Sequence, residues 1–351
     1  MNRCRSIVAI AAGLAALSLS FAAAAGSPPE RLHDTGLYAA GSGDAIAPDV
    51  IPFSPQYPLW SDGAVKRRWI SLPPGTAIDA GDPDRWQFPV GTRLWKEFAM
   101  GRRVETRMIE RTADGTWSFV AYARDEAGEE ATLVPQEGVA LPMAAAPGGR
   151  YTIPSRYDCM ACHDEQAPVI GFSALQLSPD RDPLAPHAET PPAGAVDLPA
   201  LVDRGLLVNL PHAHIDTAPR IDAATPEERA VFGYLHGNCG HCHAAPGASD
   251  GAVPVDVRMA QRVGEADSAA KVRESLLGVM ARYQPRGGAG DAVVVKPGDA
   301  HASVLHQRMT SRDPRVQMPP LGTALADLDA PGAHRALDRQ PTMTHHTGER
   351  R

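Results

Sequence analysis

Two five-residue stretches, Cys159-Met160-Ala161-Cys162-His163 and Cys239-Gly240-His241-Cys242-His243, hold the residues whose types and spacing could do chemistry. Two thiols three positions apart on a helical turn can each form a thioether with one vinyl group of the same porphyrin. The adjacent histidine then meets the iron from one axial side. The pattern predicts two covalently bound haems c (iron), with Cys159, Cys162, His163, Cys239, Cys242 and His243 binding the cofactors and His163 and His243 as metal ligands. Two other chemistries compete. One zinc on four cysteines usually has pairs separated by about 15 to 20 residues and needs no histidine after them. Here Cys162 and Cys239 are 77 positions apart and both pairs carry the histidine. A thioredoxin-like dithiol needs βαβ surroundings, which the pattern lacks.

A histidine on one side of each iron leaves the other side to be supplied. Met318 opens Met318-Pro319-Pro320-Leu321-Gly322, a stiff loop suited to holding a thioether against the second iron. It lies 75 positions after His243, with Gly287, Gly288 and Gly290 marking an insertion loop between them. Met259, Met280 and Met309 compete, and Met309, four after Leu305 on a helix face, reads as core. For the first haem no methionine occurs between His163 and Met259, so His187, His212 and His214 are the candidates unless the position is open.

The elements that must position these groups fall into two halves. From about 26 to 155 the chain reads as short strands between turns, and all five tryptophans (Trp60, Trp69, Trp86, Trp95, Trp117) lie there, as core more than as a stacking platform. Val65 to Leu72 is a strand stopped by Pro73-Pro74-Gly75, with Lys66-Arg67-Arg68 read as a solvated strand edge. Arg103 to Arg111 and Thr116 to Ala123 form a hairpin across Ala113-Asp114-Gly115. Residues 156–220 hold the first motif and a Pro-rich linker, in which no helical or strand period survives between Ser178 and Pro199. Thr225-Pro226-Glu227-Glu228 then starts a helix that carries Val231, Phe232 and Leu235 and runs into the second motif. A short helix with Leu305 and Met309 on one face comes after Pro297-Gly298-Asp299.

Positive Arg3 and Arg5, an apolar run from Ile7 to Leu19 and the small residues at Ala24 and Ala25 predict a signal peptide over 1–25. The mature protein is thus expected in the periplasm, without a permanent membrane span. Cys4 leaves with the leader, so every remaining cysteine belongs to a motif. Cleavage takes the formal charge from -7 to -9, and no basic block offers a phosphate-tracking surface, which argues against nucleic acid. About 325 mature residues exceed one typical core, so two domains are expected.

Tyr57-Pro58-Leu59-Trp60-Ser61-Asp62-Gly63-Ala64, Leu72-Pro73-Pro74-Gly75-Thr76, Phe88-Pro89-Val90-Gly91-Thr92 and Glu105-Thr106-Arg107 resemble the N-terminal half of a family of bacterial dihaem c-type cytochromes. Val294-Val295-Lys296-Pro297-Gly298-Asp299 and Gln317-Met318-Pro319-Pro320-Leu321-Gly322-Thr323 are similar to that family's C-terminal domain. The resemblance covers most of 55 to 325. It implies an α+β chain: a β-rich domain followed by a mainly α-helical class I cytochrome c-like domain over 221–328. It also implies electron transfer between periplasmic redox partner proteins. One departure stands out. Pro331-Gly332 breaks the pattern where that domain's last helix would run, so 329–351 reads as a polar, disordered tail, a frame-shifted or truncated end of the domain.

The residues therefore point first to a relay with two haems of unequal potential, since methionine ligation raises potential. A dihaem peroxidase-like oxidoreductase with one open haem is the alternative. A third is a β module that binds a partner or ligand and uses the haems as electrical contact.

Overall fold

The computed structural model describes residues 27–163, 168–244, 257–285 and 292–329. The leader and Cys4, the glycines at 287, 288 and 290, and the tail beyond 329 lie outside the described residues. The chain contributes β1 (Ile51–Pro52), β2 (Val65–Ser71), β3 (Ile78–Asp79), β4 (Arg93–Met100), β5 (Arg102–Arg111), β6 (Trp117–Arg124), β7 (Ala131–Leu133), β8 (Val139–Pro142) and β9 (Arg150–Ile153). Helices α1 (Arg156–Met160) and α2 (Leu198–Asp203), strand β10 (Leu207–Val208), then α3 (Ala213–Asp216), α4 (Pro226–Asn238), α5 (Ser268–Leu276) and α6 (Val304–Thr310) complete the order.

An antiparallel sheet in the order β1-β2-β4-β5-β6-β7 is the centre of the molecule. Side chains alternate across it, so register assigns each residue to a face. Trp69, Trp95, Met108 and Val120 pair in one cross-strand row. They pack with Leu32, Leu37, Tyr38 and Val50 of the N-terminal segment. On the opposite face Ile70, Leu94, Ile109 and Phe119 form another row. Phe172, Leu177, Leu198, Leu201 and Leu207 join Ile70 and Leu94 in the core on that side. Between β5 and β6 the Asp114 carboxylate accepts from Thr112 Oγ1 at 2.6 Å and from Thr116 N at 3.0 Å, and Gly115 takes φ 84. These bonds close the hairpin that the Ala113-Asp114-Gly115 turn predicts.

The Pro-rich stretch is irregular, but it is not a free linker. Arg181 donates to the Ser54 and Pro55 carbonyls, both at 3.0 Å, and Val196 bridges Phe53. Its side chains Leu177, Asp182 and Val196 are buried. The segment is a strap bound across the start of the sheet.

Residue 221 does not open a mainly α-helical class I cytochrome c-like domain. The molecule is β-rich with few helices, and among the described residues that region holds α4, α5, α6 and a 3-10 turn at Ala300–Ala302. The bridges Leu277↔Val295 and Met280↔Val293 and irregular chain join them. The cause is composition. Pro297, Gly298, Pro314, Pro319 and Pro320 disfavour helix in the connecting chain, and α4, α5 and α6 run for only 13, 9 and 7 residues. The core around α4 is also built partly from outside the region, by Tyr57, Leu175 and Ala185.

Helix α4 starts as its sequence predicts, with Thr225 Oγ1 accepting from Glu228 N at 3.1 Å and Pro226 at the first position, where no N–H is needed. Val231, Phe232 and Leu235 are buried, and so are Gly233 and Gly237, against which Tyr57 lies. This contact seats the helix that leads into the second motif on the segment that leads into the sheet.

Candidate functional site

Helix α1 is one short turn fixed by a capping box. Ser155 Oγ accepts from Asp158 N at 3.1 Å, and the Asp158 carboxylate accepts from Ser155 N at 2.9 Å. Past its end the chain keeps turning, so Cys162 N and His163 N both donate to the Cys159 carbonyl, at 3.1 and 2.9 Å. At the end of α4 the second motif repeats this turn. Cys242 N and His243 N donate to the Cys239 carbonyl, again at 3.1 and 2.9 Å. Two unrelated stretches of chain thus place Cys, Cys and His alike.

Each histidine is oriented through Nδ1. His163 Nδ1 lies 2.6 Å from the Pro168 carbonyl, and His243 Nδ1 lies 3.2 Å from the Val257 carbonyl. A carbonyl only accepts, so Nδ1 carries the proton and Nε2 keeps a lone pair for a metal. Burial pushes His163 down to about 4 and also lowers His243, which keeps both imidazoles neutral, the form that ligates. The donor set therefore fits two c-type haems: neutral, oriented imidazoles beside unpaired thiols, since all four cysteines are free.

The fold brings the motifs together. Cys162 Sγ, Cys242 Sγ and one ring nitrogen of His241 lie within 4.8 Å of one another. Hydrogen bonds from Cys162 and His241 favour the Cys242 thiolate, and the Cys162 thiol is correspondingly raised. His241 Nδ1 is buried and has no partner among the described residues. The sequence treats His241 as a spacer within the motif, and only its placement beside Cys162 marks it out.

The first motif rests against the sheet. The Phe119 and His163 rings are 5.2 Å apart, and Lys96 and Arg107 bear electrostatically on His163. Arg107 holds Glu105 at 2.5 and 3.2 Å, and Glu105 also accepts from Tyr151 Oη at 2.8 Å. At the second motif, Asn238 Oδ1 accepts from Trp60 N at 2.7 Å, tying the end of α4 to the Tyr57-Pro58-Leu59-Trp60 segment. His236, one turn earlier, accepts from Gln261 N at 3.1 Å through Nδ1, and burial pushes it down to about 4.

Met318 is half-buried, and its N–H donates to the Arg308 carbonyl at 2.9 Å. Arg308 Nε donates to Val316 O at 2.8 Å, and the Arg308 charge bears on His243. The Met318 loop is thereby fastened to the helix that faces the second motif. Of its competitors, Met309 is buried in the core, Met280 is 51% exposed, and Met259 is buried with its N–H on the His243 carbonyl at 2.8 Å. His187 Nε2 lies 2.8 Å from the Asp327 carboxylate, and its ring is 4.7 Å from that of Trp60 at a tilt of 36°. His212 is exposed and His214 half-buried, both at α3.

One expectation is corrected: Lys66 and Arg68 are not a solvated edge. Their side chains are 5% and 6% exposed, while Arg67 on the opposite face is 53% exposed. The strand alternates, so the two outer members of the triplet point inward. Trp69 and Trp95 are core, as expected. Among the described residues no helix is long and apolar enough to cross a membrane. Neither family models, nor curated proteins, nor solved structures match this chain.

Proposed function

We propose that the chain is an exported dihaem c-type electron carrier. Cys159 and Cys162 hold one haem and Cys239 and Cys242 the other, with His163 and His243 as axial ligands and Met318 as second ligand of the second iron. The observation that carries this reading is the repeated turn, with both histidines tied by Nδ1 to a backbone carbonyl. When bound, the haems supply one-electron chemistry. The chain's own contribution is to orient each imidazole, keep it neutral, and shield it in part from solvent. The closeness of Cys162 and Cys242 supports passage of electrons between the two sites. Partners are then periplasmic redox proteins.

Optical and paramagnetic spectra of the purified holoprotein in both redox states test relay against enzyme. Two low-spin haems inert to peroxide are expected; a high-spin haem that reacts with peroxide would make the protein peroxidase-like instead. One observation favours a second reading: Cys162, Cys242 and His241 together form a three-donor set for a single soft metal such as zinc. Thioether formation consumes those thiols, so haem and metal content decide between the two.

A further inference from the structure

A second cluster of metal-ligating side chains contains no residue of either motif. His187, from the strap, and Asp327 and Asp329, from the chain beyond α6, converge so that one ring nitrogen and one oxygen of each carboxylate lie within 4.8 Å of one another. Asp327 is buried and Asp329 exposed, so the cluster reaches from the interior to solvent. Other elements hold these donors in place. His187 Nε2 is 2.8 Å from Asp327 Oδ2, Tyr234 Oη of α4 donates to the same oxygen at 2.9 Å, and the His187 ring packs 4.7 Å from that of Trp60. The Asp62 carboxylate accepts from Ala324 N and Leu325 N, both at 2.9 Å, which fixes the backbone just before the two aspartates.

A histidine–aspartate pair needs only one carboxylate. The second adds like-charge repulsion at close range, which a divalent cation between the two converts into attraction. Lys66 is not that cation: the Asp327 charge bears on it, but its ammonium donates to Leu59 O at 2.7 Å and lies 3.7 Å from Glu189. An imidazole with two carboxylates is a donor set for a borderline divalent ion, whereas calcium and magnesium favour oxygen alone. We propose that His187, Asp327 and Asp329 form a zinc site. Zinc displaces the proton that His187 Nε2 and Asp327 share, and that proton leaves to solvent. The donors part to about 3.0 to 3.5 Å around bonds of about 2.0 to 2.2 Å, and water takes the fourth position. Tyr234 and Trp60 orient the carboxylate and the ring from outside. The site joins the strap to the chain beyond α6, and it stands whether or not the Cys-x-x-Cys-His stretches carry haem.

The test uses the mature protein in wild-type, Asp329→Ala, His187→Gln and Tyr234→Phe forms, stripped with chelator and titrated with zinc alone. Bound zinc is counted by elemental analysis, and X-ray absorption at the zinc edge reads its neighbours. Wild type should bind one zinc per chain through nitrogen and oxygen, and excess calcium should not displace it. Affinity should fall at least a hundredfold in Asp329→Ala and His187→Gln, and about 10- to 100-fold in Tyr234→Phe, which keeps all three donors. Asp329 is exposed, so its loss leaves the core intact. Zinc should also raise the urea midpoint of wild type and leave that of Asp329→Ala where it was. Zinc held by Cys162, Cys242 and His241 shows sulfur neighbours and persists in Asp329→Ala, so the two sites are read apart. Wild-type protein that binds no zinc, or only sulfur-bound zinc, would overturn the proposal. So would nitrogen- and oxygen-bound zinc of unchanged affinity in Asp329→Ala and His187→Gln, or its displacement by calcium.

Discussion

Substituting Gly233 tests whether the second motif's helix depends on the β-rich half for its seat. A Cβ at residue 233 would lie 1.9 Å from Tyr57 Cε1, 2.3 Å from Cδ1 and 2.4 Å from Cζ. Ordinary carbon contacts are about 3.5 to 4.0 Å, so the ring must recede by roughly 1.5 Å or more. Its escape is closed. Tyr57 is 2% exposed, its hydroxyl contacts Asp182 at 3.3 Å, and its backbone N–H donates to Gln176 Oε1 at 3.0 Å. Moving the backbone instead meets Gly237, where a Cβ position already stands 2.4 Å from the Tyr57 carbonyl oxygen. Overpacking of this kind costs about 1 to 3 kcal/mol and sometimes more, and the near-overlap puts Gly233→Ala at the upper end. Alanine recovers about 1 kcal/mol of helix propensity, so a net loss of about 2 kcal/mol or more is expected. Against a typical stability of about 5 to 15 kcal/mol this is easily measured. Urea unfolding of the holoprotein, followed by far-ultraviolet dichroism and by haem absorbance, should show a lower midpoint with an unchanged slope. In a double-mutant cycle with Tyr57→Ala the losses should be less than additive, because the ring that clashes is gone. A Gly233→Ala protein as stable as wild type would refute the packing argument.

Replacing Met318 with alanine should lower the potential of one haem, open its sixth position and let that haem bind carbon monoxide when reduced; an unchanged spectrum and potential would move the assignment to Met259, which is fastened to the His243 carbonyl. Lys66 makes a pH prediction. Burial lowers it from 10.5 to about 8, so below pH 8 the lysine is charged in both states and the burial penalty is fully present. Between pH 8 and 10.5 the folded state releases the proton first, the unfolded state holds more protons, and stability rises with pH, by about 3 kcal/mol at 1.36 kcal/mol per unit. The stability difference between wild type and Lys66→Met, measured by urea unfolding across that range, should rise accordingly, and a flat difference would contradict the buried placement.

What could be read from the sequence was local. Thr225-Pro226 with Glu228 settles a helix start by itself, Asp114-Gly115 closes its hairpin within a few residues, and each Cys-x-x-Cys-His stretch contains its own turn. What could not be read needed long-range pairing. That Lys66 and Arg68 face inward depends on which side of β2 the strap from 172 to 199 covers, and the row Arg68, Lys96, Arg107 exists only through strand register. Likewise nothing near Cys162 in the sequence announces that His241 and Cys242 will stand beside it. The expected helical C-terminal domain came from resemblance of short motifs. Those motifs fix a loop and a helix turn, but they do not supply the long amphipathic helices such a domain needs, and the prolines and glycines between them prevent it.

The central claim is that each motif is a covalent haem anchor, and the mass of the denatured mature protein tests it most directly. Protein purified from a host that matures c-type haem, and then unfolded and acid-extracted, should keep its haem absorbance and show the polypeptide mass raised by two haems. A polypeptide of unmodified mass, with zinc recovered from the native sample and four titratable thiols on unfolding, would contradict the account.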